Sequence, residues 1–396
     1  MELATKQGFK QTEIGLIPED WRIRELDHVL KFGSGQDYKH LSKGDIPVYG
    51  TGGIMTYVNN HLYNGESVGI GRKGTIDKPV FLSGKFWTVD TLFYTKDFLD
   101  SIPKFIYYKF LIIPWKEYNE ASGVPSLNKN TLGKIKIALP PTLKEQKAIA
   151  TALSDVDDLI ASLESLIAKK QAIKQGAMQQ LLTPPHKGGK RLPGFSGEWM
   201  EKSLTELAWF QEGPGLRKWQ FTTKGIKVIN ITNLVDGYLD LDKTTRHISW
   251  DEFHKMYKHF EVDEHDIVVA SSGNSYCKTS IVRQQDLPLV MNTSVIRFKP
   301  NSIMNYQLLL ILLKSSQFKK QIDLLITGGA QPNFGPVHLP KVFFSIPESK
   351  EEQKAIAEIL SDMDAEIAQL ETKKAKYQQL KQGMMQELLT GKTRLV

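Results

Sequence analysis

EQKAIATALS at residues 145–154 returns as EQKAIAEILS at residues 352–361. The offset is 207 residues, and it holds without a gap for almost forty positions. Asp155 and Asp157 match Asp362 and Asp364, and Leu163-Glu164 match Leu370-Glu371. Lys174-Gln175-Gly176 match Lys381-Gln382-Gly383, and Leu181-Leu182-Thr183 match Leu388-Leu389-Thr390. Pro140 and Pro347 stand at the same place before each copy. Upstream, Trp21, Leu26 and Phe32 match Trp199, Leu204 and Phe210 at an offset of 178, so about 29 extra residues lie between the matched ends of the second half. A repeat of this kind is one structural unit used twice. The order is variable block, helix, variable block, helix. Matched ends with dissimilar middles suit one scaffold presenting two different reading heads; the alternative is an old duplication without functional meaning.

Apolar residues in the first copy fall at Ile149, Leu153, Val156, Ile160, Leu163 and Ile167, alternating steps of four and three. The second copy places Ile356, Leu360, Met363, Ile367 and Leu370 at the matching positions. That is a heptad seam. Pro141-Thr142 and Pro347-Glu348-Ser349 supply start signals, and no glycine interrupts either run before Gly176 and Gly383. Each helix is predicted to run about 38 residues, roughly 57 Å at 1.5 Å per residue. A helix with one apolar stripe needs a partner, and the simplest partner for each is the other. A tandem repeat folded about a two-fold axis makes them antiparallel and sends the two blocks to opposite ends. Beyond Ile167 the seam turns polar, with Lys170 and Lys174 in one copy and Lys374, Tyr377 and Lys381 in the other. Those lysines either snorkel at a wet stretch, or fix register, or meet a partner subunit.

The expected fold is α+β: two globular domains separated by two long antiparallel coiled-coil helices, with internal pseudo-two-fold symmetry. The expected boundaries are 1–139 for the N-terminal segment and first domain, 140–183 for the first spacer helix and 184–197 for a linker. The second domain spans 198–346 and the second spacer helix 347–391. Both blocks carry short β-rich runs between glycine turns, such as IPVYGTGGI (46–54), ESVGIGRKGTI (66–76), FWTVDTLFYTK (86–96), DIVVASSG (266–273) and NTSVIRFK (292–299). KFIYYKFLI (104–112) and NYQLLLILLKSSQFKKQI (305–322) read as helical.

Composition bounds the function. Hydrophobic residues make up 41% and charged residues 24%, ordinary globular usage that allows sizeable cores. The single cysteine, Cys277, rules out an internal disulfide and a CxxC cluster and suits a reducing compartment. No signal-peptide stretch opens the chain and no run approaches a membrane span, so a cytoplasmic protein without membrane association is expected. A net charge of +7 is compatible with a polyanionic partner, because cations gain affinity by displacing counterions from phosphates.

Gly69-Ile70-Gly71-Arg72-Lys73-Gly74 satisfies GxGxxG literally, but Thr75-Ile76-Asp77-Lys78-Pro79 opens no helix. The better reading is a turn between strands carrying Arg72 and Lys73, which is either a solvated turn or a contact to phosphate or guanine. Its loose counterpart is Ser271-Ser272-Gly273-Asn274, where Lys278 is a substitute cation. A second loop, Gly35-Gln36-Asp37-Tyr38-Lys39-His40, is matched with Gly215-Leu216-Arg217-Lys218-Trp219-Gln220. A third, residues 122–129 with Ser126, Asn128 and Lys129, is matched with Gly329-Ala330-Gln331-Pro332-Asn333-Phe334. Asn and Gln pair with adenine and Arg or Lys with guanine. The candidate contacts are therefore Gln36, Tyr38, Lys39, Arg72, Lys73, Ser126, Asn128 and Lys129 in the first block. In the second they are Arg217, Lys218, Gln220, Ser272, Asn274, Lys278, Gln331 and Asn333. The alternative for each is an ordinary loop residue.

Catalytic signatures are missing. There is no GxxxxGK[ST], no [ND]PP[YFW], no HExxH, and the nine histidines are scattered, so neither a metal nor a catalytic residue is assigned. Asp263-Glu264-His265-Asp266 reads as a polar turn before a strand. The competing classes are a coiled-coil adaptor for proteins and an enzyme with degenerate motifs.

The residues also resemble a family. FKQTEIGLIPEDW (9–21) and RLPGFSGEW (191–199), each leading into a variable block, look like the lead-in segments of type I restriction-modification specificity subunits. EQKAIAxxLS followed by a long helix ending KQGxMQxLLT resembles that family's helical spacers, and IPVYGTGGI and ESVGIGRKGTI resemble its target recognition domains. The resemblance covers nearly the whole chain. It implies that each domain reads one half of a bipartite, asymmetric double-stranded DNA site while the helices set the spacing. It further implies two modification subunits that methylate adenine with S-adenosylmethionine, and restriction subunits that use ATP. No cofactor is expected in this chain, and no chemistry.

Overall fold

The computed structural model describes residues 8–235, 237–326 and 332–395. The chain divides into two compact units, Met1–Leu166 with Leu370–Val396, and Ile167–Gln369. The division runs through both long helices, so each unit consists of one globular block and a portion of each helix.

The long helices are Leu143–Leu181 and Lys350–Leu388, 39 residues each. Both begin as the start signals require: Thr142 Oγ1 accepts the Glu145 N–H and Ser349 Oγ accepts the Glu352 N–H, each at 3.2 Å. Satisfying an orphan N–H in this way fixes where a helix starts. The seam is divided in its duties. Ile149 and Leu153 are buried in the core of the first unit, together with Leu388, the last residue of the second helix, and Leu389 just after it. Ile356 and Leu360 are buried in the core of the second unit, with Leu181 from the end of the first. Leu163, Ile167 and Ile367 are also buried, whereas Val156, Ile160, Met363 and Leu370 are half-buried.

The seam lysines meet carboxylates on the other long helix. In the first unit Lys381 faces Asp157 at 2.6 Å and Lys374 faces Glu164 at 3.8 Å. In the second, Lys174 pairs with Asp364, and Lys170 faces Glu366 at 2.6 Å. Numbers rise along one helix as they fall along the other, so the helices are antiparallel in each unit. Lys174–Asp364 and Lys381–Asp157 are the same pair under the 207-residue offset. A displaced register would separate these charges, which favours the register-fixing reading over simple snorkelling.

The repeated Glu-Gln explains itself in three dimensions. Gln146 Oε1 accepts the Ile102 N–H at 3.0 Å, and its Nε2 donates to the Asp100 carbonyl at 3.0 Å. Gln353 does the same for Asn305 (2.8 Å) and Ile303 (3.0 Å). The preceding glutamates are buried and each receives an arginine: Arg394 donates to Glu145 (2.8 Å) and Arg191 to Glu352 (2.7 Å). A buried carboxylate requires such a partner.

The blocks share one topology despite their dissimilar sequences. Each has a four-stranded antiparallel sheet, in spatial order 31–34, 92–96, 67–71, 80–82 in the first and 208–212, 295–300, 267–270, 279–281 in the second. Each has a parallel pair, 43–50 with 85–88 and 226–229 with 289–291. Each is closed by a pair of strands distant in the chain, 22–25 with 136–139 and 199–203 with 343–347. The extra residues of the second block fall mainly in one interval. Sixteen residues separate Gly50 from Ser67, whereas thirty-seven separate Ile229 from Ile267. One expected element is interrupted: 305–322 forms two helices, Tyr306–Lys314 and Ser316–Leu325. Ser315 breaks it, because its Oγ caps the second helix through the Phe318 N–H while its own backbone is extended.

Candidate functional site

In the first unit a short floor, residues 88–92, gathers the candidate loops. The Gly35 N–H donates to the Leu92 carbonyl (3.1 Å) and the Gln36 N–H to the Thr88 carbonyl (2.8 Å). The Arg72 and Lys73 N–H groups both reach the Thr91 carbonyl, at 2.8 and 3.3 Å. The third loop docks on the second: the Gly74 N–H donates to the Pro125 carbonyl and the Leu127 N–H to the Arg72 carbonyl, each at 2.9 Å. Lys73 and Ser126 thus form an isolated bridge. Gly35 must be glycine, since a Cβ there would lie 1.9 Å from the Val89 carbonyl oxygen.

The side chains on this surface are mainly cationic and polar. Arg72 and Lys129 both stand over the Phe93 ring, at 5.8 and 5.5 Å. Burial, followed by the nearby Arg72 and Lys96 charges, lowers the Lys129 ammonium below its ordinary range. Such a cluster of like charges favours an anion. Gln36, Lys39 and Lys73 are exposed and Tyr38 is half-buried. Asn128 is engaged locally, its Oδ1 accepting the Asn130 N–H at 2.9 Å. Ser126 donates its N–H to Asn119 Oδ1 at 2.9 Å.

The second unit repeats this wiring with other side chains. The Gly213 N–H donates to the Val295 carbonyl (2.9 Å) and the Ser271 N–H to the Ser294 carbonyl (2.8 Å). The Gly273 N–H donates to the Pro332 carbonyl (3.0 Å) and the Phe334 N–H to the Ser271 carbonyl (2.9 Å). Ser272 bridges Asn333 as Lys73 bridges Ser126. The floor 88–92 therefore corresponds to 291–295, and Arg72-Lys73-Gly74 to Ser271-Ser272-Gly273. One expected alignment is corrected. The counterpart of Gly35 is Gly213, not Gly215, because a Cβ on Gly213 would lie 2.1 Å from the Asn292 carbonyl oxygen while Gly215 faces open space.

The remaining candidates of this unit are dispersed. Arg217 and Lys218 are exposed beside Trp219, which is 81% exposed. Gln220 is engaged inside the unit: its Oε1 accepts the Arg217 N–H (2.7 Å), and its Nε2 donates to Glu252 and to the Tyr257 hydroxyl (2.9 Å). Asn274 is exposed on a short 3₁₀ turn. Lys278 lines a cleft with Lys174, Tyr276 and Lys319, different from the one beside the floor. Gln331 lies outside the described residues.

Sequence reasoning missed the cleft beside that floor. It measures about 530 Å³ and is lined by Asn230–Thr232, Lys243–Arg246 and Asn292–Ser294. The signal was available, since Lys243-Thr244-Thr245-Arg246 falls in the extra residues and mixes hydroxyls with cations. The surface can hydrogen-bond and neutralise anions. The lone thiol is an ineffective nucleophile, because burial pushes Cys277 up to about 12. Among the described residues no cluster of His, Cys, Asp or Glu could hold a metal, and no helix is long and apolar enough to cross a membrane.

The family model described as type I restriction modification DNA specificity domain matches residues 18–175 and again 196–382. The chain is similar to the type I restriction enzyme MjaVIII specificity subunit of Methanocaldococcus jannaschii, 27% identical over 433 residues, covering 100% of this chain and 98% of the relative. It is similar in fold to the S subunit of a type I restriction-modification system from M. genitalium, at 15% identity and a TM-score of 0.65, covering 98% of both chains. It is similar also to a chain solved in a study of complex assembly and conformational transition of the type I R-M system (13% identity, TM-score 0.57, covering 95% of this chain and 99% of that one).

Proposed function

The chain belongs to the type I restriction modification DNA specificity family, and on that premise we propose that each unit reads one half of a bipartite, asymmetric DNA site. The observation that carries this reading is the repeated floor. The same backbone hydrogen bonds hold the same loops in both units, at 72–74 with 125–127 and at 271–273 with 332–334, while the side chains they carry differ. A shared frame with different side chains is what two readers of different sequences require. Phosphate contacts position and base-edge contacts specify; the Arg72–Lys129 pair suits the first task and the exposed amides and hydroxyls the second.

The long helices act as the ruler between the half-sites. The protein assembles with two modification subunits, which methylate adenine using S-adenosylmethionine, and with ATP-using restriction subunits. This chain carries out no chemistry and binds none of these cofactors. The assembly study that yielded one of the similar chains supports this membership of a larger complex.

Exchanging residues 20–139 for the corresponding block of a relative tests the reading: methylome sequencing should show one half-site changed and the other retained. Inserting one heptad into each long helix should lengthen the spacing by about 10 Å, near three base pairs at roughly 3.4 Å each. An unchanged spacing refutes the ruler.

A further inference from the structure

The second unit displays a tryptophan on a rigid turn. Trp219 is 81% exposed, the most exposed large hydrophobic side chain among the described residues, although tryptophan is on average highly buried. The turn beneath it is tightly held. Leu216 and Phe221, on either side, pack into an apolar cluster with Ile226, Ile248 and Phe253. Gln220 ties the turn together: its Oε1 accepts the Arg217 N–H (2.7 Å), and its Nε2 donates to Glu252 and to the Tyr257 hydroxyl (2.9 Å). The Gly213 N–H fixes the start of the loop to the floor at the Val295 carbonyl (2.9 Å), and the Thr222 N–H fixes its end to the His247 carbonyl (2.8 Å). With Leu216, Gln220 and Phe221 anchored inward, the three residues between them, Arg217, Lys218 and Trp219, are exposed.

The surroundings select the partner. Residues 213–225 carry Arg217, Lys218 and Lys224 and no carboxylate. The neighbouring carboxylates are engaged, Glu252 by Gln220 and Asp251 by Lys255 at 2.8 Å. Arg246 stands over the Phe221 ring at 5.0 Å and lines the cleft beside the floor, which joins the turn to that surface. An exposed indole among cations fits a polyanion that also has aromatic faces, which is DNA. The frame does not demand the ring: in the corresponding loop of the first unit, Gly35–His40, Tyr38 packs against the cluster of Val48 and Trp87. A ring held in place before binding loses little entropy when it binds.

We propose that Trp219 is a stacking residue whose indole inserts against an unstacked base of the DNA duplex, with Arg217 and Lys218 on the flanking phosphates. Apolar side chains wedged into a base step open it and kink the duplex. The indole then restores to the exposed base the stacking that it lost from its neighbour. Every base has such a face, so Trp219 adds affinity without reading a particular base. This proposal rests on the reading of the second unit as a DNA reader.

The test uses the full chain in complex with its methyltransferase subunits, and duplexes carrying the target found by methylome sequencing. Trp219→Ala should weaken binding in fluorescence-anisotropy titrations by about 10- to 100-fold, the scale of one base–aromatic stack, and leave the motif unchanged. Trp219→Phe should keep most of the affinity. An abasic scan of the duplex then places the contact: at one position, removing the base should abolish the difference between wild type and Trp219→Ala, and elsewhere the difference should persist. Arg217→Ala and Lys218→Ala should each reduce the slope of log affinity against log salt by about one unit. The proposal is overturned by Trp219→Ala binding equal to the wild type's, by a loss equal on every abasic duplex, by a phenylalanine variant as weak as the alanine one, or by unchanged salt slopes. Loss of the methyltransferase subunits from the Trp219→Ala complex also overturns it, by assigning the ring to a protein contact. A wild-type complex indifferent to base changes throughout this unit's half-site instead refutes the reading of the unit as a DNA reader.

Discussion

Replacing Lys109 with methionine should stabilise the first unit, and most strongly at low pH. Lys109 lies on the helix Pro103–Ile112, is 5% exposed, and donates to the Leu389 carbonyl at 2.8 Å. The matching position of the second unit is Leu312, also buried, because the paired glutamine contacts align Ile102 with Asn305. Burial pushes the Lys109 ammonium from the ordinary 10.5 down to about 7. At about 1.4 kcal/mol per pKa unit, this shift corresponds to a destabilisation on the order of 5 kcal/mol. The sign follows from proton counting. Between pH 7 and 10.5 the unfolded chain holds a proton that the folded chain has released, so stability rises with pH across that window. Below it both states are protonated and the whole destabilisation is present.

Methionine fills similar volume without a charge but forfeits the hydrogen bond to Leu389, which costs about 1–3 kcal/mol. The expected net gain is therefore about 2–4 kcal/mol near pH 6. It should fade, or reverse, as the pH approaches that of an ordinary lysine. Urea unfolding of wild type and variant, followed by tryptophan fluorescence across this range, measures the difference; Trp21, 5.6 Å from Lys109 Nζ, reports on the site. A difference that stays constant with pH refutes the buried-ammonium argument.

Removing Arg394 by an alanine substitution strands the buried Glu145 and should destabilise the first unit by about 3–5 kcal/mol; Arg191→Ala should do the same to the second through Glu352. Thermal denaturation reads both, and a loss under about 1 kcal/mol contradicts the assignment. Reversing Lys381 to glutamate against Asp157 should cost roughly 0.5–1 kcal/mol, and the double variant Lys381→Glu with Asp157→Lys should recover most of it. Arg72→Ala and Lys129→Ala should each weaken DNA binding and reduce the slope of log affinity against log salt by about one unit in filter-binding titrations. An unchanged slope removes them from the phosphate contacts.

The helices were legible because their evidence is local. Thr142 and Ser349, the heptad spacing and the glycine-free runs lie within a few residues of the features they specify, and the 207-residue offset supplied the rest. Legibility fell in the blocks. The second loop was matched to Gly215 by composition, whereas the structure selects Gly213 by the room a Cβ would need against Asn292. Lys278 and Gln220 looked like base readers from their residue types, yet one lines another cleft and the other is engaged by Glu252 and Tyr257.

By itself, then, the sequence determined the duplication, the paired spacer helices and the α+β class, since these follow from periodicity and capping along the chain. Tertiary structure alone decided which loops share a floor and which carboxylate each seam lysine meets. The floor is built from backbone N–H and carbonyl groups, which every non-proline residue possesses. Such contacts leave no residue signature, so the two blocks keep one frame while their sequences diverge.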